Sequence, residues 1–198
     1  MFAFQAWPKT PRLTQEEIVI TEKLDGTNAQ INITEVPSDA DIDGEVGAEF
    51  IIARRELPNG NFQVLQAGSR NRWVTPEDDN FGFAKWCVEN QQQLFETFNH
   101  GRIYGEWFGK GIQRGYGLEE KRFALFNTKF PFERAQLVPQ MTVVPVLYKG
   151  PFSHQEINNQ IDYLSLSGSV AVPGFMNPEG ICIYFRLTDK IYKIPFNK

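Results

Sequence analysis

The sequence predicts one α+β domain, residues 1–198, built mainly on antiparallel sheet with flanking helices. Three observations predict it. The 198 residues are 41% hydrophobic and 14% aromatic, enough to bury one substantial core. Short apolar runs bounded by Gly, Pro, Asn and Asp recur along the chain, as strands and tight turns require. Against these many strands stand two clear helical segments, the balance of an α+β fold. Charged residues make up 22% and are mixed in sign, so the chain does not read as disordered.

In chain order, residues 18–21 form a short strand, a turn follows at Asp25-Gly26, and residues 28–34 form a second strand. This pair reads as a hairpin-like element with Lys23 near the bend. Residues 37–47 are acidic and contain glycine, the composition of a surface loop. Residues 50–53 and 62–67 read as strands. Residues 81–98 are the best helix, because Phe83, Trp86, Cys87, Leu94, Phe95 and Phe98 fall near a helical period and Gly101 supplies a stop. Residues 102–107 and 122–126 are strands around a Gly-rich loop, 109–117. Residues 141–148 form another strand, placed at an edge by Pro145. Ser153 and Glu156 have capping-box spacing and open a helix that runs to Leu164. Residues 181–187 and 190–194 close the chain as a strand pair turning at Thr188-Asp189. No internal repeat or long linker interrupts this order.

Composition also excludes functions. No apolar run approaches the roughly 20 residues of a membrane span, and residues 1–11 lack the basic-then-apolar layout of a secretory signal. Cys87 and Cys182 lie far apart in apolar surroundings, as buried thiols of a reducing cytoplasm do. His100 and His154 have no ligand partners nearby in sequence, so a metal cluster is not expected. The net charge of −4 argues against coating nucleic acid through bulk charge. A local basic groove remains open, because Arg54, Arg55, Arg70, Arg72, Lys110, Arg114, Lys121 and Arg122 concentrate mid-chain.

The chemistry begins at Thr21-Glu22-Lys23-Leu24-Asp25-Gly26-Thr27-Asn28. A lysine at a strand-to-turn junction, followed by Asp and Gly, can point into a cleft without crowding. An amine attacks phosphorus only when unprotonated, and the ordinary lysine pKa is about 10.4. An attacking lysine therefore belongs among cationic groups and a metal. Alone, the segment reads as an exposed lysine before a common turn. Further along, Tyr104-Gly105-Glu106 places a carboxylate at a strand end, Glu179-Gly180-Ile181 places another at a strand start, and Ile191-Tyr192-Lys193-Ile194 supplies a late lysine. Each is by itself more often structural. Their order carries more weight: Lys-x-Asp-Gly-x-Asn, Ser-Arg, Tyr-Gly-Glu, Phe-x-x-Phe, Glu-Gly-Ile, then a terminal Lys strand.

This ordered set, from Lys23 to Lys193, resembles the covalent nucleotidyltransferase superfamily of polynucleotide ligases and mRNA capping enzymes. Within it the chain looks most like the nick-sealing RNA ligases, the second phage-type class, which includes RNA-editing ligases. The resemblance implies an ATP-grasp-like ligase adenylation domain. It implies that Lys23 attacks the α-phosphate of ATP and carries AMP, and that Lys193 contacts that phosphate. Glu22, Asn28, Arg70, Glu106 and Phe126 match nucleotide-binding positions. Glu106 would take the ribose hydroxyls and Phe126 would stack on adenine, with Phe123 as its rival. Asp25 matches a positioning residue, Arg54 competes with Arg70, and Glu179 matches the carboxylate associated with Mg²⁺ or Mn²⁺.

The implied function is ATP-dependent joining of RNA 3′-hydroxyl and 5′-phosphate ends, in RNA repair, at nicks in a duplex among other substrates. Residues 68–73 and 110–116 either hold those ends or form solvated loops. Two departures stand out. The family's last motif has two lysines one residue apart, whereas Ile194 and Pro195 follow Lys193, leaving Lys190 or Lys198 as substitutes. The chain also ends just after this motif, so no C-terminal accessory or OB domain is expected and an accessory protein could replace it. A small DNA ligase or a capping-type guanylyltransferase shares the Lys-x-Asp-Gly core. A noncatalytic nucleotide- or RNA-binding module is the alternative from another class. A cytoplasmic enzyme of phage or bacterial origin suits the compact chain.

Overall fold

The computed structural model of the protein describes residues 3–10, 12, 16–37 and 47–196. The acidic loop predicted at 37–47 (save its two ends), the basic-then-apolar test at residues 1, 2 and 11, and Lys198 lie outside the described residues. The chain divides into two compact units, one made of residues 1–23 and 145–198, the other of residues 24–144. Each is built on its own sheet.

The first unit contains β1 (Glu17–Lys23), β9 (Val146–Pro151), β10 (Gly180–Phe185) and β11 (Lys190–Pro195), in the order β11-β10-β1-β9. All these pairings are antiparallel. Ile18, Ile20, Ile181 and Ile183 alternate onto one face and are buried with Ile157 and Leu164. Those two come from α4 (His154–Ser167), where Ser153 Oγ accepts the Glu156 N–H at 3.2 Å as the capping spacing predicts. The β10–β11 hairpin forms as expected, with Phe185 opposite Lys190.

The second unit carries β2 (Thr27–Val36), β3 (Ile51–Glu56), β4 (Phe62–Ser69), β5 (Trp73–Val74), β6 (Gly101–Gly109), β7 (Lys121–Leu125) and β8 (Met141–Val143). Its sheet runs β3-β4-β2-β6-β7-β8, with β5 on β4. Three short helices, α1 (Phe83–Glu89), α2 (Gln91–Thr97) and α3 (Phe132–Ala135), accompany it. Ala29, Ile31 and Ile33 alternate toward a core centred on Phe83, Trp86, Trp107 and Phe123, whose rings lie 5.1–5.8 Å apart. Offset and edge-on contacts of this kind add to the area these rings bury.

Three expectations are corrected. β1 and β2 are not a hairpin, because they join different sheets. The amides that would close the bend are taken by side chains: the Asp25 N–H donates to Tyr116 Oη and the Gly26 N–H to Glu106 Oε1. The helix at 81–98 is two helices: Asn90 leaves helical dihedrals (φ −110°, ψ 17°), and its Nδ2 joins its own N–H on the Trp86 carbonyl, at 2.8 Å. The strand at 141–148 is also two. Pro145 has no N–H to continue the β8 ladder, and β8 and β9 belong to different sheets. β8 pairs with β7 in parallel, the exception among the described strands of an otherwise antiparallel α+β fold.

Candidate active site

Lys23 closes β1. Ile18, Ile20 and Glu22 point to the core face of its sheet, so Val19, Thr21 and Lys23 point to the other. Lys23 is in register with Gly180, which brings the preceding Glu179 beside the end of β1. The Lys23 ammonium donates to Glu179 Oε2 at 2.6 Å. Gly180 has φ 147°, and a Cβ there would stand 2.2 Å from the Ile194 carbonyl oxygen. A side chain in that position would push β11 away, which accounts for the Glu-Gly pair.

Register also places the late lysine. Lys193 pairs with Cys182, which pairs with Thr21, so Lys193 shares the face that bears Lys23. It lies two strands over, about 10 Å at ordinary strand spacing, and is exposed. Lys190 pairs with Phe185, which packs on the core, so Lys190 registers on the face opposite Lys23 and Lys193.

Glu22 is placed differently. It is almost fully buried beside Ile20, and its carboxylate accepts the Ser169 hydroxyl at 2.6 Å and the N–H groups of Val170 and Ala171 at 2.8 and 2.9 Å. Burial pushes its pKa up, against the pull of these three hydrogen bonds. Its carboxylate organises residues 169–171 of its own unit.

In the second unit, Asn28, Gln30 and Asn32 line the sheet face away from the core, opposite Glu106, Tyr104 and Arg102 of β6. Asn28 Nδ2 donates to Glu106 Oε2 at 2.9 Å, while Glu106 Oε1 takes the Gly26 N–H at 3.1 Å. A Cβ at Gly26 would sit 2.3 Å from the Trp107 carbonyl oxygen, so only glycine allows this approach. Asp25 pairs with Arg114 at 2.8 Å. Beside this network is a cavity of about 220 Å³ lined by Asn28, Gln30, Ser69, Arg70, Tyr104 and Phe126, among others. That is less than the roughly 300–1,000 Å³ of whole small-molecule pockets and suits part of a ligand.

The sequence left two pairs of rivals, and the members of each pair lie in different surroundings. Arg70 lines the cavity and Arg54 does not: Arg54 is exposed on β3, opposite Val64. Phe126 lines the cavity and is partly exposed, whereas Phe123 is wholly buried in the aromatic core. Tyr104 was not among the predicted residues. Its signal was its position two residues before Glu106, which puts both on one face of β6.

Of the two stretches read as RNA contacts or solvated loops, residues 110–116 turn largely inward. Arg114 pairs with Asp25 and Tyr116 is buried, while Lys110 stays at the surface paired with Glu119. In 68–73, Arg72 pairs with Asp78. A larger groove of about 390 Å³, lined by Lys85, Trp86, Lys110 and Lys121 among others, contains none of the predicted site residues.

Among the described residues, no three His, Cys, Asp or Glu side chains gather as a metal cage. Glu179 thus offers a single carboxylate, the kind of sparse protein ligand set Mg²⁺ accepts alongside water and substrate phosphates. No helix among the described residues is long and apolar enough to cross a membrane.

A family model described as RNA ligase matches residues 16–194, nearly the whole chain. The chain belongs to the RNA ligase family. Solved structures agree with this family fold. A Naegleria gruberi RNA ligase variant with ATP and Mn is similar at 19% identity and a TM-score of 0.53, covering 93% of this chain and 51% of that one. A second such variant with ATP and Mn gives 20% identity and a TM-score of 0.54 over the same shares. A variant with AMP and Mn gives 18% and 0.54, covering 92% of this chain and 50% of that one. This RNA ligase family member therefore spans about half the length of those chains. No curated protein sequence matches it.

Proposed function

We propose that this chain is the adenylating domain of an ATP-dependent RNA ligase, with Lys23 as the residue that carries AMP. The observation that supports it most is the placement of Lys23 at the end of β1. Its amine is hydrogen-bonded to Glu179 on a sheet face that also bears Lys193. The RNA ligases of Naegleria gruberi, solved with ATP or AMP and Mn, share this fold and support the nucleotide.

In the first step the Lys23 nitrogen forms a bond to the α-phosphorus of ATP as the bond to pyrophosphate breaks. The Lys23 ammonium first gives one proton to the Glu179 carboxylate, which lies at hydrogen-bond distance, and the nitrogen loses a second to solvent as the phosphoramidate forms. In the second step an oxygen of an RNA 5′-phosphate takes the AMP and the nitrogen–phosphorus bond breaks. In the third the RNA 3′-hydroxyl attacks that 5′-phosphate and AMP leaves, closing a phosphodiester, as at a nick in a duplex. Phe126 and Tyr104 offer aromatic faces to the base, Arg70 a cation to the ribose or phosphates, and the Asn28–Glu106 pair polar groups to the ribose hydroxyls. Lys193 offsets charge on the α-phosphate. Mg²⁺ or Mn²⁺ would be held by Glu179, largely through water, and would neutralise the triphosphate. A reducing cytoplasm is the compartment proposed, supported by the free state of Cys87 and Cys182.

The test is incubation with α-labelled ATP or GTP, followed by RNA and DNA nicks. Wild type is expected to form an acid-stable protein–AMP adduct with ATP, and Lys23→Ala none, while the variant loses on the order of 1 kcal/mol of stability. An adduct that survives in Lys23→Ala means the nucleophile is another residue. Preference for GTP or for DNA nicks would replace the ligase reading with a capping or DNA-joining one.

A further inference from the structure

The loop between β6 and β7 is wound against its own side chains. Gln113 and Tyr116 adopt left-handed backbone, φ 45° and 56°, among glycines that do the same. Such a conformation is disfavoured for residues with a side chain and persists where surrounding contacts impose it. Here Tyr116 has such contacts. The Tyr116 ring is buried edge-on against Phe108, centroids 5.3 Å apart. Its hydroxyl oxygen accepts the Asp25 N–H at 2.8 Å. Two residues earlier, Arg114 Nε donates to Asp25 Oδ2 at 2.8 Å, with both side chains largely buried. One loop therefore grips the backbone and the carboxylate of Asp25, while Glu106 holds the next amide.

We infer that Tyr116 and Arg114 are positioning residues for adenylate transfer: they lock Asp25 within the segment that follows Lys23 in the chain. The inference rests on the ligase reading above. An Asp-Gly pair is intrinsically a loose turn, and Gly26 carries more backbone freedom than any other residue type. Transfer to phosphorus is sensitive to small displacements, of which about 1 Å is worth about a hundredfold in rate. A lock of this kind changes how fast bound ATP reacts and leaves its affinity alone.

The test is single-turnover formation of the protein–AMP adduct by the full chain at varied ATP, alongside thermal melting. Tyr116→Phe removes one hydroxyl and Arg114→Ala one ion pair. Each is expected to lower the maximal rate about tenfold, with the half-saturating ATP concentration changed by less than about twofold. Arg114→Lys should recover part of the loss, because an ammonium reaches the carboxylate without the guanidinium geometry. The double variant should lose little more than the worse single one, since both act on Asp25. Unchanged maximal rates in an adenylating protein would overturn the inference, as would losses seen in ATP saturation or melting alone. If wild type itself forms no adduct, the ligase reading fails and this one with it.

Discussion

The ammonium of Lys23 sits 2.6 Å from Glu179 Oε2, with the two side chains 19% and 17% exposed. On the proposed reading of Lys23 as the residue that carries AMP, this sheltered carboxylate is the neighbour placed to take its proton. Glu179→Gln keeps the size and an acceptor oxygen while removing the charge. Adduct formation in that variant is expected to slow at every Mg²⁺ concentration and to respond less steeply to the metal. Rates that superimpose on wild type across a Mg²⁺ titration would remove Glu179 from the mechanism.

Arg70 and Arg54 provide a matched comparison. Both are exposed and both follow strand residues, but Arg70 alone of the two lines the cavity shared with Asn28 and Phe126. Arg70→Ala should raise the ATP concentration needed for adduct formation about tenfold or more, as loss of a charge-assisted contact does. Arg54→Ala should leave it near wild type. The reverse result would move the nucleotide site toward β3.

Phe126 and Phe123 should separate binding from folding. Phe126→Ala should weaken ATP binding by roughly 1–3 kcal/mol, the value of one stacked base, and barely change melting because Phe126 is already 42% exposed. Phe123→Ala empties part of the aromatic core and should cost about 3–5 kcal/mol of stability. Calorimetric titration with ATP and a thermal melt of each variant distinguish the two.

Glu22 makes stability depend on pH. Its folded-state pKa lies above the ordinary 4.5, because burial disfavours the charged form. The folded state thus holds the proton more tightly than the unfolded one. The stabilising contribution is complete below about 4.5 and is lost as pH rises through the raised folded value. Glu22→Gln cannot ionise, and its amide can still meet Ser169 and the two N–H groups. The melting temperature of wild type minus that of Glu22→Gln should therefore fall as pH rises over this range. A difference independent of pH would show that Glu22 does not titrate there.

Much of the fold could be read directly because alternation is local. Ile18 and Ile20, or Ala29, Ile31 and Ile33, announce which face is buried from their spacing alone. Strand partnership could not be read in the same way. β1 pairs with β9 and β10 far along the chain, so the hairpin suggested by the Asp-Gly turn lost to contacts invisible in a local window. Asn90 was missed for a related reason: nothing in the apolar period says that an asparagine amide will take the Trp86 carbonyl. At the site, the motif residues were recognisable by type and order. The Arg114–Asp25 pair was not, since an arginine in a Gly-rich loop looks like any exposed cation until its partner is known. Glu22 likewise gave no hint of facing inward, because its neighbour Lys23 made the whole segment look polar.

The chain leaves its first sheet after Lys23 and returns to it only at Pro145. On a ribosome this imposes an order of events. Residues 24–144 are contiguous and can condense as they emerge, but the strand that ends at Lys23 has no partners until β9 and β10 are made. At about 5–20 residues per second that wait is on the order of ten seconds. Throughout it, Ile18 and Ile20 of β1 stay without the sheet that buries them, an unpaired apolar segment open to association.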